Sequence, residues 1–390
     1  MMMADLHELS ARVSTPAYVF DADLFERRAQ QVRSAFGPKT GLCFSIKANP
    51  FLLTCLPDVF DRIEVCSPGE LTICEKTKSD MRKVIFSGVN KTASDVGRAM
   101  DDGMGVFTAE SWLHADLINQ SAIRHGIRVP LLVRLTAGSQ FGMDAEDVLS
   151  LIRRREEYPG LEIVGLHYFS GTQKRKPAVI EKELDRVMAF VQRVKDELGF
   201  ALERLEYGTG LAVDYFAADA DEQEAARLEA VAQKIREVAD QIELTVEMGR
   251  FFAAPCGHYF TRVMDVKCNE GVNYAIVDGG LNQLKYDGQL QGMQIPMIDH
   301  LQKRTEEPKS WTLCGSLCTT ADVLARNVPF CGLAIGDVLV FERTGAYSAM
   351  EGMAIFLSRE MPQIWMHSKE KGLVLMRDHL WTDRFNTPQG

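Results

Sequence analysis

No stretch of this 390-residue chain approaches the roughly 20 consecutive apolar residues of a membrane span. Met1 to Ser10 carries Asp5 and Glu8 where a secretory leader would need an apolar run. A cytoplasmic protein is expected. Positive charge is in deficit as well: 44 Lys and Arg against 54 Asp and Glu leave a formal net charge of -10, which argues against nucleic acid or an anionic membrane surface as the main partner. The nine cysteines lack the close pairing of a zinc site. Their one short spacing, Cys314-x-x-x-Cys318, has no nearby histidine and no second pair, so no metal is expected and reduced thiols are the default. Internal repeats, low-complexity tracts and Pro/Gly/Ser-rich linkers are also missing.

What is present is apolar substance, 46% of the chain, enough for a large core and two domains. Eight short apolar runs recur between Leu42 and Gly249: 42–48, 62–67, 84–88, 104–109, 130–136, 163–169, 202–208 and 243–249. Segments such as 178–198 and 221–241 lie between them with apolar residues at helical spacing, so strand alternates with helix. Eight such units close most naturally into an α/β fold, a (β/α)8 TIM-type barrel. After Arg250 the alternation gives way to shorter β-like runs, 259–268, 274–277, 310–313, 337–342 and 373–376, which mark a second, mainly β domain. The early run 17–21 is placed as an added strand of that domain. The expected limits are 22–260 for the barrel, with 1–21 and 261–390 forming the β domain.

A barrel keeps its chemistry at the C-terminal ends of its strands. Lys47 ends the first run, just before Asn49-Pro50 breaks it. Desolvating an ammonium costs several kcal/mol, so this lysine is either paired, snorkelling to solvent, or committed to chemistry. A Schiff base with an aldehyde cofactor is one such commitment. Other strand ends bring Arg134, His167 with Ser170, Gly208 with Gly210, and Glu247 with Gly249 and Arg250. Glycines after the seventh strand let backbone N–H groups approach a phosphate, and Arg250 after the eighth suits the same anion. A lysine for an aldehyde, a cradle for a phosphate and a carboxylate for a ring nitrogen are together what pyridoxal 5'-phosphate requires.

Seven blocks in order resemble the fold-type III PLP-dependent decarboxylases, the group of ornithine, diaminopimelate and carboxynorspermidine decarboxylases. They are Ser45-Ile-Lys-Ala-Asn-Pro50, Glu64-Val-Cys-Ser-Pro-Gly-Glu70, His167-Tyr-Phe-Ser-Gly171, Tyr207-Gly-Thr-Gly210, Glu247-Met-Gly-Arg250, Cys314-Gly-Ser-Leu-Cys-Thr-Thr-Ala-Asp322 and Gly345-Ala-Tyr347. The resemblance implies that Lys47 carries the cofactor, Glu247 faces the pyridine nitrogen and His167 stacks on the ring. Glu64 and Arg134 would form a supporting pair beneath the lysine, although an ordinary ion pair of the barrel interior accounts for them equally well. Cys318 would return a proton to the carbanion carbon from the partner subunit of a homodimer with shared sites. Tyr347 would bind phosphate or substrate. An alanine-racemase-like enzyme of the same fold sets an arginine at the ring nitrogen, which Glu247 argues against; a catalytically silent homologue that binds a protein partner is the other alternative.

Three departures bear on the substrate. Thr319 stands where ornithine and diaminopimelate decarboxylases place an acid, Asn282-Gln-Leu-Lys-Tyr-Asp287 replaces an Arg-Pro-Ala-Leu-Tyr-Asp segment, and Gln140-Phe-Gly142 replaces Lys-Phe-Gly. A site for a free distal ammonium should offer it a carboxylate, a part that Asp287 could still serve. The departures therefore point to an N-substituted or carrier-protein-bound amino acid, with Thr319, Tyr286, Asp287 and Asp322 as the expected substrate contacts.

Overall fold

The computed structural model describes residues 5–389; Met1 to Ala4, part of the stretch read for a leader, and Gly390 lie outside them. The described chain opens with a short helix, α1 (Leu6–Ser10), and strand β1 (Ala17–Asp21). Eight parallel strands then close into a barrel. They are β2 (Gly41–Ser45), β3 (Arg62–Val65), β4 (Val84–Phe86), β5 (Val106–Ala109), β6 (Val129–Arg134), β7 (Leu161–Phe169), β8 (Arg204–Gly208) and β9 (Glu243–Met248), with β9 returning to pair with β2. The expected (β/α)8 barrel is thus the observed one, each strand falling within or close to an expected run.

The helices between these strands are α2 (Ala22–Phe36), α3 (Pro68–Lys76), α4 (Ala93–Asp101), α5 (Trp112–His125), α6 (Ala145–Arg153), α7 (Pro177–Leu198) and α8 (Ala220–Ala239). Local sequence dictates their ends. Proline opens α7, where its missing N–H costs nothing, and Gly199 closes it at φ 60°, a conformation that glycine adopts without strain. In between, Ile180, Leu184, Val187 and Val194 bury one stripe. Ser67 caps α3 and Ser111 caps α5 through their side-chain oxygens. Inside the barrel, Cys43, Ile85, Val106, Leu132 and Val164 form a buried apolar cluster.

The second unit is mainly β, as expected. Its main sheet runs in the order β14 (Val323–Cys331), β13 (Pro308–Cys314), β11 (Val272–Val277), β10 (Gly257–Asn269), β1, β17 (Gln363–Ser368), β18 (Gly372–Arg377); β15 (Val338–Glu342) joins β10 to β12 (Ile298–His300). A two-stranded sheet pairs β16 (Glu360–Met361) with β19 (Leu380–Trp381). β1 lies antiparallel to β10 and parallel to β17, so the early run does add a strand to this sheet. β14 escaped the periodicity reading because Pro329 interrupts it; at the end of the sheet order, Pro329 needs no donor on its outer side.

One compact unit comprises Arg28–Ala212 and Glu222–Phe252, and the other holds the remaining described residues, including Val213–Asp221. The chain leaves the barrel unit before residue 260 because β10 is continuous from Gly257, whose first residues already pair with β1. No helix among the described residues is long and apolar enough to cross a membrane.

Within the barrel unit, Arg28 of α2 meets Glu224 of α8 at 2.5 Å, with side-chain exposures of 6% and 0%, and its guanidinium lies over the Phe251 ring. Removing one partner of a buried pair leaves an uncompensated charge, so Arg28→Leu is expected to lower unfolding stability by about 3–5 kcal/mol. Denaturant titration checks this. The double variant Arg28→Leu with Glu224→Leu should recover most of the loss, because no isolated charge then remains.

Candidate active site

β2 ends at Ser45, and Lys47 sits in the turn that follows, Ile46–Ala48. The structure therefore corrects the expectation of a lysine within the strand: the side chain is 37% exposed. Asn49 shapes the next step by accepting a hydrogen bond from Phe51 N, and Pro50 opens a second 3-10 segment. The Lys47 ammonium donates to Glu64 Oε2 at 2.7 Å, and Glu247 Oε1 lies 3.5 Å away. Pairing thus resolves the cost of its partial burial. Cys66 Sγ lies 3.6 Å from the same nitrogen and donates to Glu64 Oε1 at 3.1 Å. Burial and then the Glu64 charge push the Cys66 thiol well above the usual range, so it stays protonated.

Glu247, near the end of β9, is held from two sides. Ser45 Oγ donates to its Oε1 at 2.9 Å, and His167 Nε2 lies 3.1 Å from its Oε2. Burial pushes this carboxyl up, but Lys47 and the His167 hydrogen bond outweigh burial and hold it well below the usual carboxylate range. A carboxylate of depressed pKa stabilises the fold above its unfolded value of roughly 4.3, and that stability is lost only as pH falls through the folded value. Glu247 is therefore ionised at neutral pH. His167 Nδ1 is buried and has no hydrogen-bond partner among the described residues.

Glu64 and Arg134 do not pair. Glu64 serves Lys47, whereas Arg134 Nη1 donates to Glu110 Oε1 at 2.9 Å and its guanidinium lies over the Phe141 ring. Strand order explains the correction. β3 lies beside β2, with Glu64 opposite Ser45, while Arg134 ends β6, next to β5 and Glu110 just beyond it.

The glycine-bearing loops follow β7, β8 and β9. Gly210 has φ +61°, and a Cβ there would stand 2.0 Å from the Gly171 carbonyl oxygen. A Cβ on Gly208 would meet Phe169 at 2.4 Å, and one on Gly249 would meet Ala48 at 2.8 Å. Side chains are excluded at all three, which lets these strand ends pack closely. Ser170 donates to Glu183, which also receives Lys174 at 2.6 Å and the Tyr207 hydroxyl at 2.8 Å. Arg250 Nε reaches Thr172 Oγ1 at 3.4 Å. Ser45, Cys66, Lys174, Glu183 and the buried Glu206 escaped the sequence reading of roles. For Ser45 a signal existed, since alternation along β2 places it on the same face as Cys43.

The remaining expected residues belong to the β unit. Cys318 and Thr319 are exposed in the connection between β13 and β14. Asp322 is buried, and its two oxygens accept from the backbone N–H groups of Leu281 and Leu317, both at 2.8 Å. Tyr286 is buried too, donating to the Glu342 carbonyl at 2.6 Å and packing edge-on against Tyr215 and Phe216. Both residues thus hold backbone segments of this unit in place. Asp287 is half-buried, and Tyr347 is half-buried at φ 65°.

These residues fit pyridoxal phosphate: an amine beside two carboxylates, an ionised carboxylate for a protonated ring nitrogen, a flat imidazole with an unpartnered nitrogen, and a glycine cradle flanked by Ser170 and Arg250. The family model for the pyridoxal-binding domain of pyridoxal-dependent decarboxylases matches residues 22–254, more than half of the chain, and the chain belongs to that family. It is a PLP-dependent carboxy-lyase. Relatives include a diaminopimelate decarboxylase of Pseudomonas aeruginosa, 28% identical over 88% of this chain and 85% of that one. Another is the L-glutamyl-[BtrI acyl-carrier protein] decarboxylase of Niallia circulans, 26% identical over 92% and 90%. The fold is that of diaminopimelate decarboxylase from M. jannaschii, solved with L-lysine, at a TM-score of 0.84 and 23% identity over 96% and 92% of the two chains.

Gly210→Ala should collide with the Gly171 carbonyl and force an L-residue into the left-handed region, a strain of about 1–2 kcal/mol. Fluorescence titration of the cofactor-stripped protein with pyridoxal phosphate should show weakening of about tenfold or more.

Proposed function

We propose that this enzyme decarboxylates an amino acid whose distal end carries no free ammonium, an N-substituted diamino acid or an aminoacyl group on a carrier protein, and that Lys47 holds the cofactor. The observation that carries the reading is the Glu247 carboxylate at the barrel mouth, kept ionised by Lys47, His167 and Ser45. Pyridoxal phosphate, when bound, supplies an aromatic ring that accepts the electrons released as carbon dioxide leaves. Glu247 holds the proton on the ring nitrogen, without which the ring is a weak acceptor. An arginine there could not do so, which favours decarboxylation over racemisation. His167 would stack on the ring, while Gly208, Gly210, Gly249, Ser170 and Arg250 would hold the phosphate.

Cys318 serves as the acid that returns the proton. Its exposure within its own unit is what a site completed by the partner subunit of a homodimer requires. Tyr347 contributes to phosphate or substrate binding, and Asp287 to the substrate. All nine cysteines are free thiols, consistent with a reducing, cytoplasmic setting.

Thr319 carries the substrate reading. An exposed hydroxyl offers a distal ammonium no counter-charge, and one relative with coverage of most of both chains acts on a carrier-bound glutamyl group. Carbon-dioxide release should be faster with N-acylated or carrier-bound amino acids than with ornithine, lysine or diaminopimelate. Thr319→Glu should raise activity on the free diamino acids. If wild type prefers a free diamino acid, as the diaminopimelate decarboxylase relatives do by name, the substrate assignment fails while the decarboxylase assignment stands.

The shared site has its own test. Mixing inactive Lys47→Ala and Cys318→Ala subunits should restore about a quarter of wild-type activity under random exchange, because half of the dimers are mixed and one of their two sites has both residues. No recovery despite demonstrated exchange would refute it.

A further inference from the structure

Glu206 is a barrel carboxyl with no role in the proposed reaction. It lies on β8, opposite His167 of β7 on one side and Thr245 of β9 on the other. Its neighbour Tyr207 reaches outward to Glu183 of α7, so strand alternation turns Glu206 into the barrel. There it is 2% exposed, and neither carboxyl oxygen has a hydrogen-bond partner among the described residues. The charged and titratable groups around it are Cys43 and Lys47 from β2 and the turn after it, Arg62 and Glu64 from β3, His167 from β7, and Glu247 from β9. Arg62 is engaged elsewhere, donating to the Arg82 carbonyl at 3.1 Å.

Glu64, Glu206 and Glu247 therefore share a low-dielectric interior with the Lys47 ammonium, while the buried Lys91 donates to the Gly88 carbonyl at 2.6 Å. Glu64 receives Lys47 and Cys66; Glu247 receives Ser45, His167 and the Lys47 charge. Glu206 receives nothing. An unpaired buried carboxylate is the costliest of the three to keep, and like charges nearby raise that cost, so the surplus proton belongs on Glu206. We propose that Glu206 is held as a neutral carboxylic acid beside the site, and that its neutrality leaves the ammonium of Lys47 and the donors of Ser45 and His167 committed to Glu64 and Glu247. Burial first, and then the charges of Glu247 and Glu64, push its titration well above the usual carboxylate range, in agreement. The inference rests on Glu247 as the partner of the ring nitrogen.

The sign of the pH dependence follows. A carboxyl whose folded pKa is raised stabilises the fold fully below its unfolded value of roughly 4.3, and this is lost as pH rises toward the folded value. Glu206→Gln, a neutral isostere, removes that loss. In the purified holoenzyme, Tm of Glu206→Gln relative to wild type should rise by about 2–4 °C between pH 5 and pH 8. The wild-type infrared spectrum at pH 8 should contain a protonated-carboxyl band that shifts in heavy water and is absent from the variant. Glu206→Leu, neutral and of similar volume, provides the second variant, and both should keep kcat within about threefold of wild type and leave the cofactor absorption maximum in place, because neutrality is what the site uses. A missing band, a Tm difference that does not change with pH, or a loss of kcat of about tenfold in both variants at unchanged KM would overturn the proposal. Glu247→Gln separates the two readings: an unchanged cofactor spectrum and kcat there would remove Glu247 from the ring nitrogen while leaving the infrared result on Glu206 intact.

Discussion

Closure of the barrel is the constraint on which the site depends. When β9 pairs with β2, Cys43 comes to lie opposite Glu247 and Phe44 opposite Met248. Ser45 and Glu247, 202 positions apart, then stand within a hydrogen bond of each other. Lys47 follows two residues on, and the same closure delivers it to both Glu64 and Glu247. An open sheet of the same strands would leave its first and last members at opposite edges, and amine and carboxylate would never meet. Closure also removes the sheet edges that would otherwise invite pairing with other chains.

Charge economy in the barrel follows from that closure. The Lys47 ammonium stays engaged, with Glu64 as its direct acceptor and Glu247 within Coulombic reach. Glu247 is ionised because its donors outweigh desolvation, whereas Cys66 remains a thiol because desolvation and a neighbouring carboxylate act in the same direction. The glycine positions complete the arrangement sterically: at Gly210 and Gly208 any side chain would collide with the neighbouring strand end.

The β unit supplies residues whose packing divides them into two kinds. Asp322 and Tyr286 are buried and spend their polar atoms on backbone partners, Asp322 on the loops that carry Leu281 and Leu317 and Tyr286 on the end of β15 at Glu342. Cys318 and Thr319, on the connection that Asp322 anchors, remain exposed. A motif block therefore mixes residues that hold the loop with residues that the loop presents.

Much of this architecture is determined by the sequence itself. Apolar runs of strand length separated by helical stripes specify the barrel, because strands buried on both faces must be apolar throughout while covering helices need only one apolar side. The early run at Ala17–Asp21 reads as a strand for the same reason, and the lysine, histidine, glutamate and glycine blocks identify the chemistry. Tertiary structure alone decided who pairs with whom. Glu64 rather than Glu110 serves Lys47, and Arg134 turns to Glu110, because strand order around the barrel sets which charges are neighbours. Lys47 lies in a turn after β2 because pairing with β3 and β9 stops at Ser45 and Phe44. Burial of Asp322 and Tyr286, and the solitude of Glu206, likewise arise only when distant segments pack, since a side chain's solvent and partners are properties of the folded interior and not of its place in the chain.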